Sequence, residues 1–219
     1  MSRTRQNIIQ TAIQLFNEQG VVNVRIKEIA DTLGISNGNL TYHYKTKQEL
    51  MHSVYRYMIK TLEEMSIGNQ LMNPGRKHLD VVKGYLEYIV KFRFFYQDTL
   101  EIIRAYPELA KSHHQQVEQE KSIIKNLIYR AIGKGELKTE AFPGLYDSLA
   151  HSIWMTLHFW LTQQAIRREV TNNLEQGLLT IANLLYPYVT DEGATVFEKM
   201  QGVLLETTNS KLQIPNASA

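Results

Sequence analysis

Along nearly its whole length the chain repeats its apolar residues at three- and four-residue steps, the period that gathers them on one face of an α-helix. Ile8/Ile9, Ala12/Ile13 and Leu15/Phe16 make the first such stripe, which ends at Gly20, a natural helix terminator. Ile26, Ile29/Ala30 and Leu33 form a shorter second stripe, stopped by Gly34. Past Ile35, the Ser36 hydroxyl stands ready to accept a hydrogen bond from a free N–H in the first turn of a third helix. A fourth runs from near Lys47 through Leu50, Val54 and Met58 to about Met65. The stretch "GNQLMNPGRKH", Gly68 to His78, is rich in turn formers and reads as a break. Beyond it the spacing predicts helices over 79–104, 108–132, 144–168, 171–188 and 192–207, punctuated by Pro107, the glycines of "GKG", Pro143 and Pro187. No repeat, low-complexity tract or pair of alternating strands interrupts the pattern, so the expected fold class is all-α.

A hydrophobic content of 43% over 219 residues allows a substantial core, and five prolines with twelve glycines are too few for a fibrous or disordered chain. There is no cysteine, which removes disulfide and thiolate chemistry and suits a reducing compartment. The opening "MSRTRQNIIQTAIQLF" starts basic but breaks its apolar residues with Gln, Thr and Asn, as an amphipathic helix does and a signal peptide does not. No run reaches the roughly 18 apolar residues of a membrane span. A cytoplasmic protein without a membrane partner is expected. The net charge of +2 is unevenly spread: residues 1–60 hold eight Lys/Arg against four Asp/Glu, the remainder sixteen against eighteen. The front of the chain is the part suited to a polyanion.

The stretch "LGISNGNLTYHYKTKQEL", Leu33 to Leu50, sits in that basic front part. Two short helices joined through "LGIS" match a helix-turn-helix, with Gly34 permitting the reversal. On a wheel of about 100° per residue, Leu40 and Tyr44 point together toward the core. Gly38, Asn39, Thr41, Tyr42 and His43 spread over the opposite side. That side is rich in hydrogen-bonding groups and free of carboxylates, as a surface entering a DNA groove must be. Gly38 removes a side chain where backbones must approach, and Lys45 and Lys47 stand just beyond, where phosphates would run. An ordinary solvated face is the competing account.

"VRIKEIADTLGISNGNLTYHYKTKQEL", residues 24–50, resembles the DNA-binding signature of the tetracycline-repressor (TetR) family. The matching elements are Ile29-Ala30, Gly34-Ile35-Ser36, Gly38, Leu40, His43 with an aromatic after it, and Lys47 with Leu50 opening the next helix. The resemblance implies that Lys27 and the face of Asn37, Asn39, Thr41, Tyr42 and His43 approach double-stranded DNA. It also implies that Lys47 binds a phosphate with its ammonium or backbone N–H. The chain departs from the family pattern in three places. Val24-Arg25 replaces a common Thr or Ser cap, leaving Asn23 as the available substitute. Arg25 is itself available for a phosphate contact. Thr41 occupies a position often held by Tyr.

In the C-terminal part, Leu145, Leu149, Ile153, Leu157 and Leu161 line one side of a helix whose other sides carry Trp154, Phe159 and Trp160. Such a helix is buried from two directions. Leu174, Leu178, Ile181, Leu185 and Tyr188 follow at four- and three-residue steps. These two helices, within 144–188, could complete a monomer core or meet their copies in a four-helix dimer interface; the resemblance favours a homodimer on a palindromic operator. Aromatics crowd the middle of the chain, among them Tyr85, Tyr88, Phe92 and Tyr106, with His151, Trp154 and His158 available from a later helix. They suit either an ordinary core or a pocket for a small apolar or aromatic effector; the resemblance favours the pocket.

No catalytic set, metal site or cofactor motif is legible. His113 and His114 are adjacent and diverge on a helix, and no carboxylate joins His151 and His158 at helical spacing. Glu63-Glu64, Glu118 and Glu120 read as solvated faces. The expected organisation is a DNA-binding domain over 1–48, an effector-binding and dimerisation domain over 49–207, and a flexible tail over 208–219. The expected function is a ligand-responsive repressor of transcription rather than an enzyme. The alternative is a helical protein–protein adaptor with a vestigial helix-turn-helix.

Overall fold

The structure is a computed structural model that describes residues 2–67, 78–167, 174–198 and 201–202. Four helices occupy the front: α1 (Arg3–Gln19), α2 (Ile26–Leu33), α3 (Asn37–His43) and α4 (Lys47–Ile67). After them come α5 (His78–Lys91), α6 (Arg93–Gln97), α7 (Thr99–Ala105), α8 (Leu109–Gly133), α9 (Leu145–Ile166) and α10 (Leu174–Leu185). A single 3₁₀ turn, Tyr186–Tyr188, follows α10, and residues 191–198 are helical again. The only β pairing among the described residues is an isolated antiparallel bridge between Leu137 and Val189. The all-α expectation holds. The break expected at 68–78, the first residues of the 171–188 helix and the 208–219 tail lie outside the described residues, His78 of the break apart.

The chain forms two compact units. One holds α1 to α4, α5 from Tyr88 onward, α6, α7, and α8 as far as Gln116; the other holds α5 as far as Glu87, α8 from Val117, α9 and α10. In the first unit Ile8, Ile9, Ala12 and Phe16 of α1 are buried with Ile29 and Ala30 of α2, Leu40 of α3, and Leu50, Met51 and Val54 of α4. Removing such side chains from water contributes about 1.5–3 kcal/mol each. In the second unit Tyr146, Leu149, Ile153, Leu157 and Leu161 of α9 are buried, as are Leu178, Ile181 and Ala182 of α10. Gly193 is one position where glycine is obligatory, because a Cβ there would overlap the Glu136 backbone carbonyl.

The expected helix over 79–104 is three helices instead. No Pro or Gly marks the break, which is made from far away in sequence. Phe92, Phe94, Phe95 and Tyr96 are all buried, and side chains so closely spaced cannot share one face of a straight helix. The turn between α5 and α6 leaves backbone groups without helical partners, and Asn17 of α1 supplies them. Its Nδ2 donates to the Lys91 carbonyl at 2.9 Å, and its Oδ1 accepts from the Phe94 N–H at 3.0 Å. Arg93 returns a bond to the Asn17 carbonyl at 3.1 Å. Replacing Asn17 by Leu keeps the volume and strands both backbone groups. Chemical denaturation of Asn17→Leu is expected to show a loss of about 1–3 kcal/mol with an unchanged m-value.

Candidate nucleic-acid interface

The geometry of the front unit follows from its helix ends. Gly20 closes α1 with its N–H on the Phe16 carbonyl, and Asn23 Nδ2 donates to the Gln19 carbonyl at 2.7 Å. Asn23 therefore caps the end of α1, not the start of α2 as the sequence suggests. Arg25, at the N-cap of α2, has an extended backbone and no side-chain cap bond. Gly34 adopts a left-handed conformation at φ 67°, and its N–H reaches the Ala30 and Asp31 carbonyls. That conformation is open to glycine and costly for most other residues. Ser36 caps α3 as expected, accepting from the Asn39 N–H at 3.1 Å.

On α3 the division of faces is sharp. Leu40 is buried, and Tyr44 follows it into the interior. Asn37, Gly38 and Asn39 are exposed, Thr41 and His43 are half-buried, and Tyr42 is 83% exposed. The Tyr42 and His43 rings meet edge-on at 5.2 Å. Thr41 directs its hydroxyl proton to the Asn37 and Gly38 carbonyls at 2.9 and 3.2 Å, so outward it offers a methyl group and a hydrogen-bond acceptor. Gly38 is not required by the fold: a Cβ there would touch only the Ser36 hydroxyl, at an ordinary 3.9 Å. Glycine inside a helix costs about 1 kcal/mol relative to alanine. The space it leaves clear is outside the chain.

Basic groups flank this face. Arg25 and Lys27 are exposed on α2, and Lys45 is exposed after α3. Lys47 differs. Its ammonium donates to the Val21 carbonyl and, at 3.3 Å, to the Val22 carbonyl, and partial burial pulls its pKa below the ordinary lysine value. Of the two phosphate-binding groups expected at Lys47, the ammonium is engaged within the chain, which leaves the backbone N–H. At this helix start Thr46 Oγ1 accepts from the Glu49 N–H at 3.1 Å, and Glu49 reaches back to the Lys45 N–H at 2.9 Å. The capping pair leaves the Lys47 and Gln48 N–H groups in the first turn, where no helical acceptor exists. Sequence reasoning passes over Arg5, whose guanidinium lies 5.9 Å from the Tyr44 ring centre, beside the end of α3. The basic "SRTR" opening is its only signal.

The residues expected to line an effector pocket fall into two groups. Tyr88 and Phe92 are buried in the front unit, with ring centres 5.0 Å apart and the Tyr88 hydroxyl donating to the Met58 carbonyl. Tyr106, in the same unit, is half-buried, and burial followed by the nearby Glu108 charge raises its pKa. Tyr85, Trp154 and His158 gather in the second unit, while His151 is exposed and stacks on Trp154 at 5.9 Å.

Glu120 lies at the centre of this second group and corrects the reading of it as solvated, being only 4% exposed. Its Oε2 accepts from Trp154 Nε1 at 3.0 Å and meets His158 Nε2 at 2.8 Å. His158 Nδ1 lies 2.9 Å from the Trp154 carbonyl, which can only accept, so Nδ1 carries a proton. A buried carboxylate, an imidazole and an indole thus share one polar cluster in an otherwise apolar unit. Periodicity hides it because Glu120 and Trp154 are 34 positions apart.

Comparison with known proteins agrees with this layout. Residues 8–54 match the family model described as bacterial regulatory proteins, tetR family, and residues 68–197 match the TetR model described as a bacterial transcriptional repressor. The HTH-type transcriptional regulator AcrR of Shigella flexneri is 30% identical over 88 residues, 40% of this chain and 40% of that protein. The match thus spans less than half the length of that relative. A TetR-family transcriptional regulator from Marinobacter aquaeolei VT8 superposes with a TM-score of 0.76 at 22% identity, over 91% of this chain and all of that one. A putative transcriptional regulator from Saccharomonospora viridis, solved with choline, superposes at 0.69 and 16% identity, over 87% of this chain and 100% of the other. With more than half of its residues inside the C-terminal match alone and its front inside the other, the chain belongs to the TetR family.

Proposed function

We propose that the protein is a transcriptional regulator that binds a palindromic operator as a homodimer, with α3 in the major groove. The observation that carries this reading is the outer face of α3. It is exposed, bears no carboxylate, and is cleared by a glycine that the fold itself does not need. Asn37, Asn39, Tyr42 and His43 offer donors, acceptors and rings to base edges, and Thr41 offers its methyl and acceptor oxygen. Ser36 fixes the helix start and so the depth at which Asn37 and Asn39 enter. Arg25 and Lys27 neutralise phosphates, and the first-turn N–H groups of α4 at Lys47 bind another.

Residues 1–48 are the reading head, and 49–207 bind the effector and dimerise through 144–188. TetR-family proteins bind DNA as dimers, which supports this arrangement. Half-sites on one side of the duplex then lie about 34–36 Å apart, or a multiple of that. The effector site is the Glu120 cluster with Tyr85, Trp154 and His158, whose rings suit a small aromatic or apolar compound; a choline complex of one structural neighbour shows that such a fold holds a small ligand. An effector that favours wider separation of the reading heads lowers operator affinity, and the operator lowers effector affinity by the same factor. The reading is a repressor without catalytic activity.

Selection of bound duplexes from a random pool tests the reading: an enriched inverted repeat is expected, and enrichment of no sequence would overturn it. On the selected operator, Asn39→Ala and Tyr42→Ala are expected to relax base preference, each costing about 1–3 kcal/mol, read by competition binding against single-base variants. Arg25→Ala and Lys27→Ala weaken binding to every duplex and lower the slope of log K against log salt by about 1 each. Lys47→Ala behaves differently. It leaves that slope in place while lowering folding stability by about 1–2 kcal/mol in urea titrations, because its ammonium bonds carbonyls and not phosphate.

A further inference from the structure

One side of α9 carries Met155, Phe159 and Ile166, all exposed. At the helical turn of about 100° per residue these three fall within about 40° of one another. Next to them α9 and α10 border an open groove of about 310 Å³. Trp160, Gln163, Gln164 and Arg167 line it from α9 and its end, and Gln176 and Thr180 from α10. The lining holds no carboxylate, and its only charge belongs to the exposed Arg167. Gln164 stands out. It is 6% exposed, and neither its Oε1 nor its Nε2 has a hydrogen-bond partner among the described residues. A buried amide left without partners is costlier than a turn about a glutamine side-chain torsion, and such a turn carries this amide into the groove it lines.

We propose that a second copy of the chain fills this groove, that the two Gln164 amides pair across the two-fold axis, and that this pairing selects partner and register. The inference rests on the homodimer reading above and adds the residue that makes it selective. In a two-fold interface each surface meets its own image. A carboxylate or ammonium at the axis would repel that image. A primary amide presents a donor beside an acceptor, so two copies exchange two reciprocal hydrogen bonds. The stripe of Met155, Phe159 and Ile166 supplies apolar contact but tolerates sliding. The amide does not, because any register that separates the pair leaves two buried amides unsatisfied. A foreign helix presenting an apolar residue at that point is rejected for the same reason.

Sedimentation equilibrium and native mass spectrometry of the full chain at pH 8 test this. Wild type is expected to be a dimer. Gln164→Glu and Gln164→Lys, each alone, place like charges at the axis and raise the dimer dissociation constant by roughly tenfold or more. Their equimolar mixture recovers dimerisation and forms the mixed dimer above the random fraction. Gln164→Leu, which adds no charge and keeps the fold, still dimerises but forms mixed dimers with wild type below the random fraction. Charged variants that dimerise like wild type, or mixed dimers at the random fraction in both experiments, overturn the role of Gln164 and leave the homodimer standing. A monomeric wild type that binds operator as a monomer overturns the homodimer reading itself.

Discussion

The burial of one leucine underlies the reading surface. α3 is seven residues long, far below the length at which an isolated helix is stable in water. Leu40 is the only residue within it that is fully buried, and it lies in the core with Ile29 and Ala30 of α2 and the α1 stripe. With Ser36 capping one end and Tyr44 buried just past the other, that anchor fixes the roll of α3 about its axis. The roll in turn decides that Asn39, Tyr42 and Gly38 look outward together. A rotation by one residue would turn Tyr42 inward and expose Leu40.

Much of this is legible in the amino-acid sequence because it rests on local chemistry. Gly20 and Gly34 end their helices, Ser36 caps the next, and Leu40 and Tyr44 are buried as the wheel places them. Each of these depends on neighbours within four residues, the range over which periodicity and capping carry information. The features that escape are long-range pairings. The break after Lys91 is held by Asn17, 74 positions away, and nothing within 79–104 announces it. The Lys47 ammonium finds its carbonyls as far as 26 residues upstream. Glu120 has the surroundings of a solvated glutamate in sequence and becomes a buried hub only when α9 brings Trp154 and His158 to it.

The two units handle polar groups differently, and that difference matches their proposed tasks. In the front unit the capping residues commit their polar atoms to backbone, leaving α3 with directional side chains free for an outside partner. In the second unit the polar atoms are internal: Glu120, His158 and Trp154 bond one another, and Gln164 is held under cover without a partner among the described residues. Buried polar clusters are stable only when satisfied. A change in what satisfies them is therefore a natural point at which binding elsewhere could alter the unit.

The Lys47 tether has a mechanical consequence. Because the first residue of α4 grips the carbonyls of Val21 and Val22, a tilt of α4 pulls on the α1–α2 turn as well as on the end of α3. The stem and the head it carries are pinned at two points, so torque is transmitted instead of dissipated in a loose joint. A small angular displacement at the far end of α4 swings the whole head as a lever arm. Its tip, not its internal geometry, then falls out of step with the groove.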